Sequence, residues 1–123
     1  MKYRIEYTDN LKEWQGATCS YPWYPKWGTC VIRIRPKYID DLGIRKHEIE
    51  HARQYSDDFF HALKYSFLKS YRYKCELEAY NMQIQEYRYT RIEQCGWIVD
   101  ALEKKYNLSI DRVIIEQDVE KLL

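Results

Sequence analysis

The hydrophobic period of this chain changes once, near Asp40, from two residues to between three and four. A period of two puts alternate side chains on one face of a strand, whereas a period of 3.6 aligns positions three and four apart on a helix. The chain is thereby confined to a short sheet in front and packed helices behind, an α+β arrangement. Residues 3–8, YRIEYT, set Tyr3, Ile5 and Tyr7 against Arg4, Glu6 and Thr8. Residues 29–36, TCVIRIRP, set Cys30, Ile32 and Ile34 against Val31, Arg33 and Arg35 until Pro36 ends the strand. With a less regular strand over about residues 12–19, these predict a short antiparallel sheet of about three strands. Asp9-Asn10 is a turn. The segment 20–29, SYPWYPKWGT, carries two prolines, a glycine and four aromatics and reads as a loop, placed to line a cleft or cover the core.

Behind the sheet, Asp40 or Asp41 caps a helix that runs to about Tyr55. Ser56-Asp57-Asp58 offers caps for a second, over about 59–72, burying Phe59, Phe60, Leu63, Phe67 and Leu68. Further helices are expected over 73–90, with Leu77, Ala79, Tyr80, Ile84 and Tyr87 inward, over 92–106, and over about 111–122. Gly96 leaves the start of the fourth open. No repeat, low-complexity stretch or linker divides the 123 residues, which predicts one domain over 1–123.

Charge narrows the partners. Twenty Lys and Arg face 19 Asp and Glu, a net charge of +1, so no global field draws nucleic acid or anionic lipid. No run approaches the roughly 18 apolar residues a membrane helix needs. The start, MKYRIEYTDN, alternates instead of forming the apolar block of a signal peptide, and a cytoplasmic location without a membrane partner is the expectation. Cys19, Cys30, Cys75 and Cys95 form no C-x-x-C pair, which argues against a thiolate zinc ribbon or a thioredoxin-like site. Reduced thiols are expected, with Cys19–Cys30 and Cys75–Cys95 as the pairings open to an exported chain.

The chemistry lies in KHEIEHARQY, residues 46–55. On a helix, positions four apart lie about 40° apart around the axis, so His47 and His51 can reach one ion. Glu48, about 100° from His47, is off the metal but placed to meet a water beside it. Zinc lowers the pKa of water towards about 7 and the carboxylate can then accept its proton, the arrangement of a metallohydrolase. With 3 histidines and 11 glutamates in the chain, random placement would give this five-residue pattern roughly 0.006 times.

A third ligand is needed. Glu76, in KCELEAY at 74–80, lies one intervening helix and a reversal beyond His51 and would complete a two-His, one-Glu site with water in the fourth position. Glu78, about 200° round the same helix, points elsewhere. Asp57, ten residues after His47, is the rival, but the motif that uses that position needs Gly where this chain has Gln54, so Asp57 ranks below Glu76. His61 is expected to pack or titrate among Phe59, Phe60 and Leu63. The oxyanion stabiliser stays open among Tyr55, Tyr73, Tyr80 and His61.

HEIEHARQY followed by ELEAY resembles the gluzincin branch of the zincin metallopeptidases, in particular minimal single-domain forms, over about residues 29–90. The resemblance implies zinc on His47, His51 and Glu76, Glu48 as general base, and a peptide or protein substrate; in a zincin-like fold the strand CVIRIR would lie beside the active-site helix and offer its edge to an extended peptide, with Arg33 and Arg35 facing acidic side chains or solvent. Larger gluzincins have an acidic residue just after the small residue that follows the third ligand, and it orients a zinc-binding histidine; here Tyr80 follows Ala79, so that support must be built differently. Two other readings stand beside it. One is a zinc-stabilised interaction or structural domain that cleaves nothing. The other is a nucleic-acid-binding helical module using YRYK, 71–74, and YRYTR, 87–91. A diiron bundle would need a second Glu-x-x-His, which the sequence lacks.

Overall fold

Three strands precede five helices in the computed structural model, which describes residues 3–20, 29–105 and 110–123. The strands are β1 (Tyr3–Tyr7), β2 (Ala17–Ser20) and β3 (Cys30–Ile34). The α+β class holds, but the sheet is mixed instead of antiparallel. Its order is β1-β3-β2, with β1 parallel to β3 (Tyr3 opposite Cys30, Tyr7 opposite Ile34) and β2 antiparallel to it (Ala17 opposite Ile34, Ser20 opposite Val31).

Arg35 supplies the reason. Residues 8–16 cross over the end of β3 from one side to the other, and the Arg35 guanidinium holds them there. Its Nε donates to the Gln15 carbonyl at 2.7 Å and Nη2 to the Lys12 carbonyl at 2.8 Å, while Nη1 reaches the carbonyl and carboxylate of Asp9, each at 3.3 Å. A hairpin between β1 and β2 is thereby replaced by a clamped crossing. Arg35 is thus a structural fork and Arg33 pairs with Glu6 at 3.4 Å, so neither is set aside for a substrate. The expectation that β3 offers a peptide its edge fails for the same reason: β3 is the central strand, paired on both sides. Cys30, Val31, Ile32 and Ile34 are accordingly all buried.

A 3₁₀ turn at Pro36–Tyr38 leads into α1 (Leu42–Asp57). Asp41 caps it, accepting from the Ile44 N–H at 3.1 Å. The predicted helix over 59–72 is interrupted at Leu68, whose φ of −109° and ψ of 103° are extended, giving α2 (His61–Phe67) and α3 (Lys69–Ile84). The predicted buried face is not formed. α2 is two turns long and turns His61 inward, so Phe59, Phe60, Leu63, Phe67 and Leu68 are all exposed.

α4 (Arg91–Lys105) runs unbroken through Gly96 and opens with a capping box, Thr90 Oγ1 accepting from Glu93 N and Glu93 Oε1 from Thr90 N. Asp111 caps α5 (Arg112–Leu122). Two cores result. Cys30, Ile32, Ile34 and Ala52 join the sheet to α1, and Tyr80, Ile84, Ile98, Val99, Leu102, Ile115 and Val119 join α3 to α4 and α5. The aromatic loop predicted over 20–29 lies, but for its ends, outside the described residues. No helix among the described residues is long and apolar enough to cross a membrane.

Candidate metal centre

α1 and α3 run side by side between the two cores, and the motif residues meet at their seam. His47 and His51 project from α1 and Glu76 from α3. All three are buried, and one ligand atom from each lies within 4.8 Å of the others. The two Nε2 atoms are 3.2 Å apart; His51 Nε2 is 3.1 Å from Glu76 Oε1 and His47 Nε2 is 3.4 Å from Glu76 Oε2. Two imidazole nitrogens and a carboxylate converging in this way could hold a metal ion. Glu76 Oε2 is buried and receives no hydrogen bond. A buried carboxylate needs compensation, and the two imidazoles, His51 at Oε1 and His47 at Oε2, are what face it here.

The supports differ from one of these side chains to the next. The Tyr65 hydroxyl, from α2, donates to Glu76 Oε1. His51 Nδ1 donates to Gln54 Oε1 at 2.9 Å, and Gln54 Nε2 donates to the Cys75 carbonyl at 2.9 Å. His47 Nδ1, by contrast, is buried without a hydrogen-bond partner, and the Tyr80 ring packs edge-on against the imidazole with centroids 4.5 Å apart. One histidine is thus oriented by hydrogen bonding and the other by packing.

Burial sets the electrostatics. It pushes the Glu48 carboxyl up, against the lowering influence of the two histidines. It also opposes charge on His51, but the carboxylate of Glu76 outweighs it and raises the imidazole to about 9. Glu76 responds in kind: burial would raise it, and the charge of His51 and the contacts of both imidazoles hold it well below the usual carboxylate range. In the metal-free protein the centre is therefore an internal ion pair.

Glu48 stands in the wall of a cleft of about 1150 Å³ together with all three clustered residues. His61, Tyr55, Tyr65 and Tyr80 line the same cleft, as do Ala17, Thr18 and Cys19 of β2. His61 is 2 % exposed, but it packs on Tyr55, Tyr65 and Tyr71 and not on the phenylalanines expected around it. Burial lowers it to about 4, leaving it neutral near pH 7. Tyr73 is withdrawn from the cleft and donates to Asp118 at 2.8 Å. Asp57 is exposed and accepts from Arg53 at 2.6 Å, away from the histidines, which removes the rival third ligand. Glu78 is half-exposed, 3.3 Å from Arg53.

All four cysteines are free thiols, with Cys19 Sγ 3.1 Å from Cys30 Sγ. Tyr65 had no part in the motif-based prediction, and Gln54 entered it only as the residue in place of the glycine that a third ligand at Asp57 would need. Gln54 was legible in principle, being three residues beyond His51 on the buried stripe, whereas Tyr65 reaches Glu76 only through the break at Leu68.

Comparison with protein-family models, with curated proteins and with solved structures gives no match for this chain.

Proposed function

We propose that the chain is a zinc-dependent peptidase of gluzincin-like design, with His47, His51 and Glu76 holding the ion and Glu48 as general base. The observation that carries this reading is the buried convergence of His47 Nε2, His51 Nε2 and a Glu76 carboxylate, one of whose oxygens accepts no hydrogen bond, in the cleft that also holds Glu48. When bound, zinc would supply Lewis acidity, polarising a substrate carbonyl and acidifying water.

The remaining work falls to the chain's own side chains. Glu48, raised by burial, is a stronger base than an exposed carboxylate, accepts the proton of the attacking water and returns it to the leaving amine. Tyr65 holds Glu76 in place through its hydroxyl, and Gln54 holds His51. Among the described residues β2 pairs on one side only, with β3, and three of its residues stand in the cleft wall. Its outer edge, in place of β3, is where an extended peptide would add as a strand. A non-catalytic zinc domain would have no use for a buried carboxylate facing the cleft beside the ligands.

The test is Glu48→Gln. Zinc stoichiometry should stay near one per chain while hydrolysis of a peptide library, read by mass spectrometry, falls by at least about 10²-fold. Activity equal to the parent protein's would overturn the assignment of the base.

A further inference from the structure

Gln54 hydrogen-bonds both to a ligand on α1 and to the backbone of α3, and its two ends do different jobs. A backbone carbonyl has no proton to give, so the contact with the Cys75 carbonyl at 2.9 Å must be made by the Gln54 NH₂ group. That orients the amide with Oε1 towards His51, 2.9 Å from Nδ1. An amide oxygen only accepts, so Nδ1 must carry the hydrogen. In the neutral ring the lone pair then resides on Nε2, the atom that faces His47 Nε2 and Glu76.

The Cys75 carbonyl belongs to the residue before Glu76. The same amide therefore ties the backbone that presents the third ligand to the ring that presents the second. Gln54 is 5 % exposed, so water does not compete for either bond. Methionine matches its length and makes neither bond; glutamate accepts from His51 but cannot donate to a carbonyl, and would face Glu78 Oε2, now 3.4 Å from Gln54 Nε2.

Resting on the metal-centre reading above, we infer that Gln54 is a positioning residue that selects Nε2 of His51 as the ligand atom and fixes the spacing of His51 to Glu76. It takes, from α1, the part that an acidic residue plays elsewhere, and leaves position 80 to a tyrosine that packs on His47. A neutral acceptor makes the imidazole less electron-rich than a carboxylate would, which favours a more Lewis-acidic ion at some cost in affinity.

The experiment compares zinc affinity, by competition with a chromophoric chelator, for the parent chain, Gln54→Met, and a double variant that combines Gln54→Glu with Glu78→Gln, the second change removing the facing carboxylate. Gln54→Met should bind zinc about 10- to 100-fold more weakly. The double variant, which keeps the acceptor for His51 and lacks only the donor to Cys75, should recover most of that loss. A spacer role alone would leave the double variant as weak as the methionine variant and would overturn the inference, as would unchanged affinity in Gln54→Met. If the methionine variant does not fold, ¹⁵N-histidine spectra of the zinc-loaded parent decide: Nδ1 protonated and Nε2 coordinated is expected for His51, and coordination through Nδ1 refutes the proposal. A parent chain that binds no zinc would sink the metal centre itself, a failure separate from the other outcomes.

Discussion

Metal loading should expel a proton from His51, so zinc affinity and metal-free stability should respond to pH in opposite directions. The buried Glu76 carboxylate holds the imidazole at about 9, against the cost of burying its charge. At pH 7 only about one ring in a hundred is neutral, and a ligand nitrogen must be neutral. Affinity at pH 7 is then about 100-fold, or ~3 kcal/mol, below its value above pH 9, and rises about tenfold per unit between. The sign reverses for the metal-free fold. A histidine near 6.5 when unfolded and about 9 when folded contributes stability that is complete below pH 6.5 and lost as pH rises through 9. The loss is on the order of 3 kcal/mol, about 10 °C in melting temperature for a chain of this size. Glu48, raised by burial, pulls in the same direction, since its buried charge is least welcome at high pH. Glu76 acts at the other end: lowered in the fold, it contributes above about pH 4.5 and is lost only in acid. Thermal melts of metal-free and zinc-loaded protein from pH 6.5 to 9.5, with chelator competition at each pH, measure both slopes. Zinc affinity flat from pH 7 to 9, together with a constant metal-free melting temperature, would refute the internal ion pair and the reasoning built on it.

Glu76→Ala should weaken zinc by more than about 100-fold, beyond the loss of an outer partner, and should also flatten the metal-free melting profile because the charge that sustains His51 is gone; an unchanged zinc titration would remove Glu76 from the ligand set. Gly43→Ala places a Cβ 2.8 Å from Cε1 and Cζ of Tyr87. That ring cannot swing away cheaply, because its hydroxyl donates to Asp41 at 3.0 Å and accepts from Gln83 at 2.8 Å. Overpacking of about 1–3 kcal/mol should outweigh the ~1 kcal/mol that alanine gains over glycine in a helix, giving a net loss in urea unfolding; a net gain would show that the ring relaxes freely.

Local signals carried most of the helical half. Asp41, the Thr90-Glu93 pair and Asp111 cap where short-range chemistry says helices start, and the two histidines share a face because 3.6 residues per turn leaves them no alternative. The errors fall where the deciding partner is distant in sequence. Strand direction depends on Arg35 gripping residues 9–15, an interaction over 20 to 26 positions that alternation in YRIEYT and CVIRIR cannot express. Leu68 has no glycine or proline to announce a break, and α2 begins only at His61, past Phe59 and Phe60, so the inward face read from 59–72 is not formed. Tyr65 escaped notice for the same reason, since one of thirteen tyrosines gains a role only when α2 folds back on Glu76.

The pairing of α1 with α3 explains why these particular positions meet. Asp41, at the start of α1, is bonded by Tyr87 just past the end of α3, and Lys46 pairs with Glu86. Further along α1, His47 meets Tyr80, His51 meets Glu76, and Gln54 meets Cys75. Each advance along α1 is matched by a retreat along α3, the register of two antiparallel neighbours. The clustered side chains sit between two fastenings, Asp41–Tyr87 at one end and Gln54–Cys75 at the other. Each helix is also anchored to a different core, α1 to the sheet and α3 to α4 and α5. Because the spacing of the helices is held from outside the cluster, three buried polar side chains can stay converged, and the ion pair between His51 and Glu76 helps to hold them there.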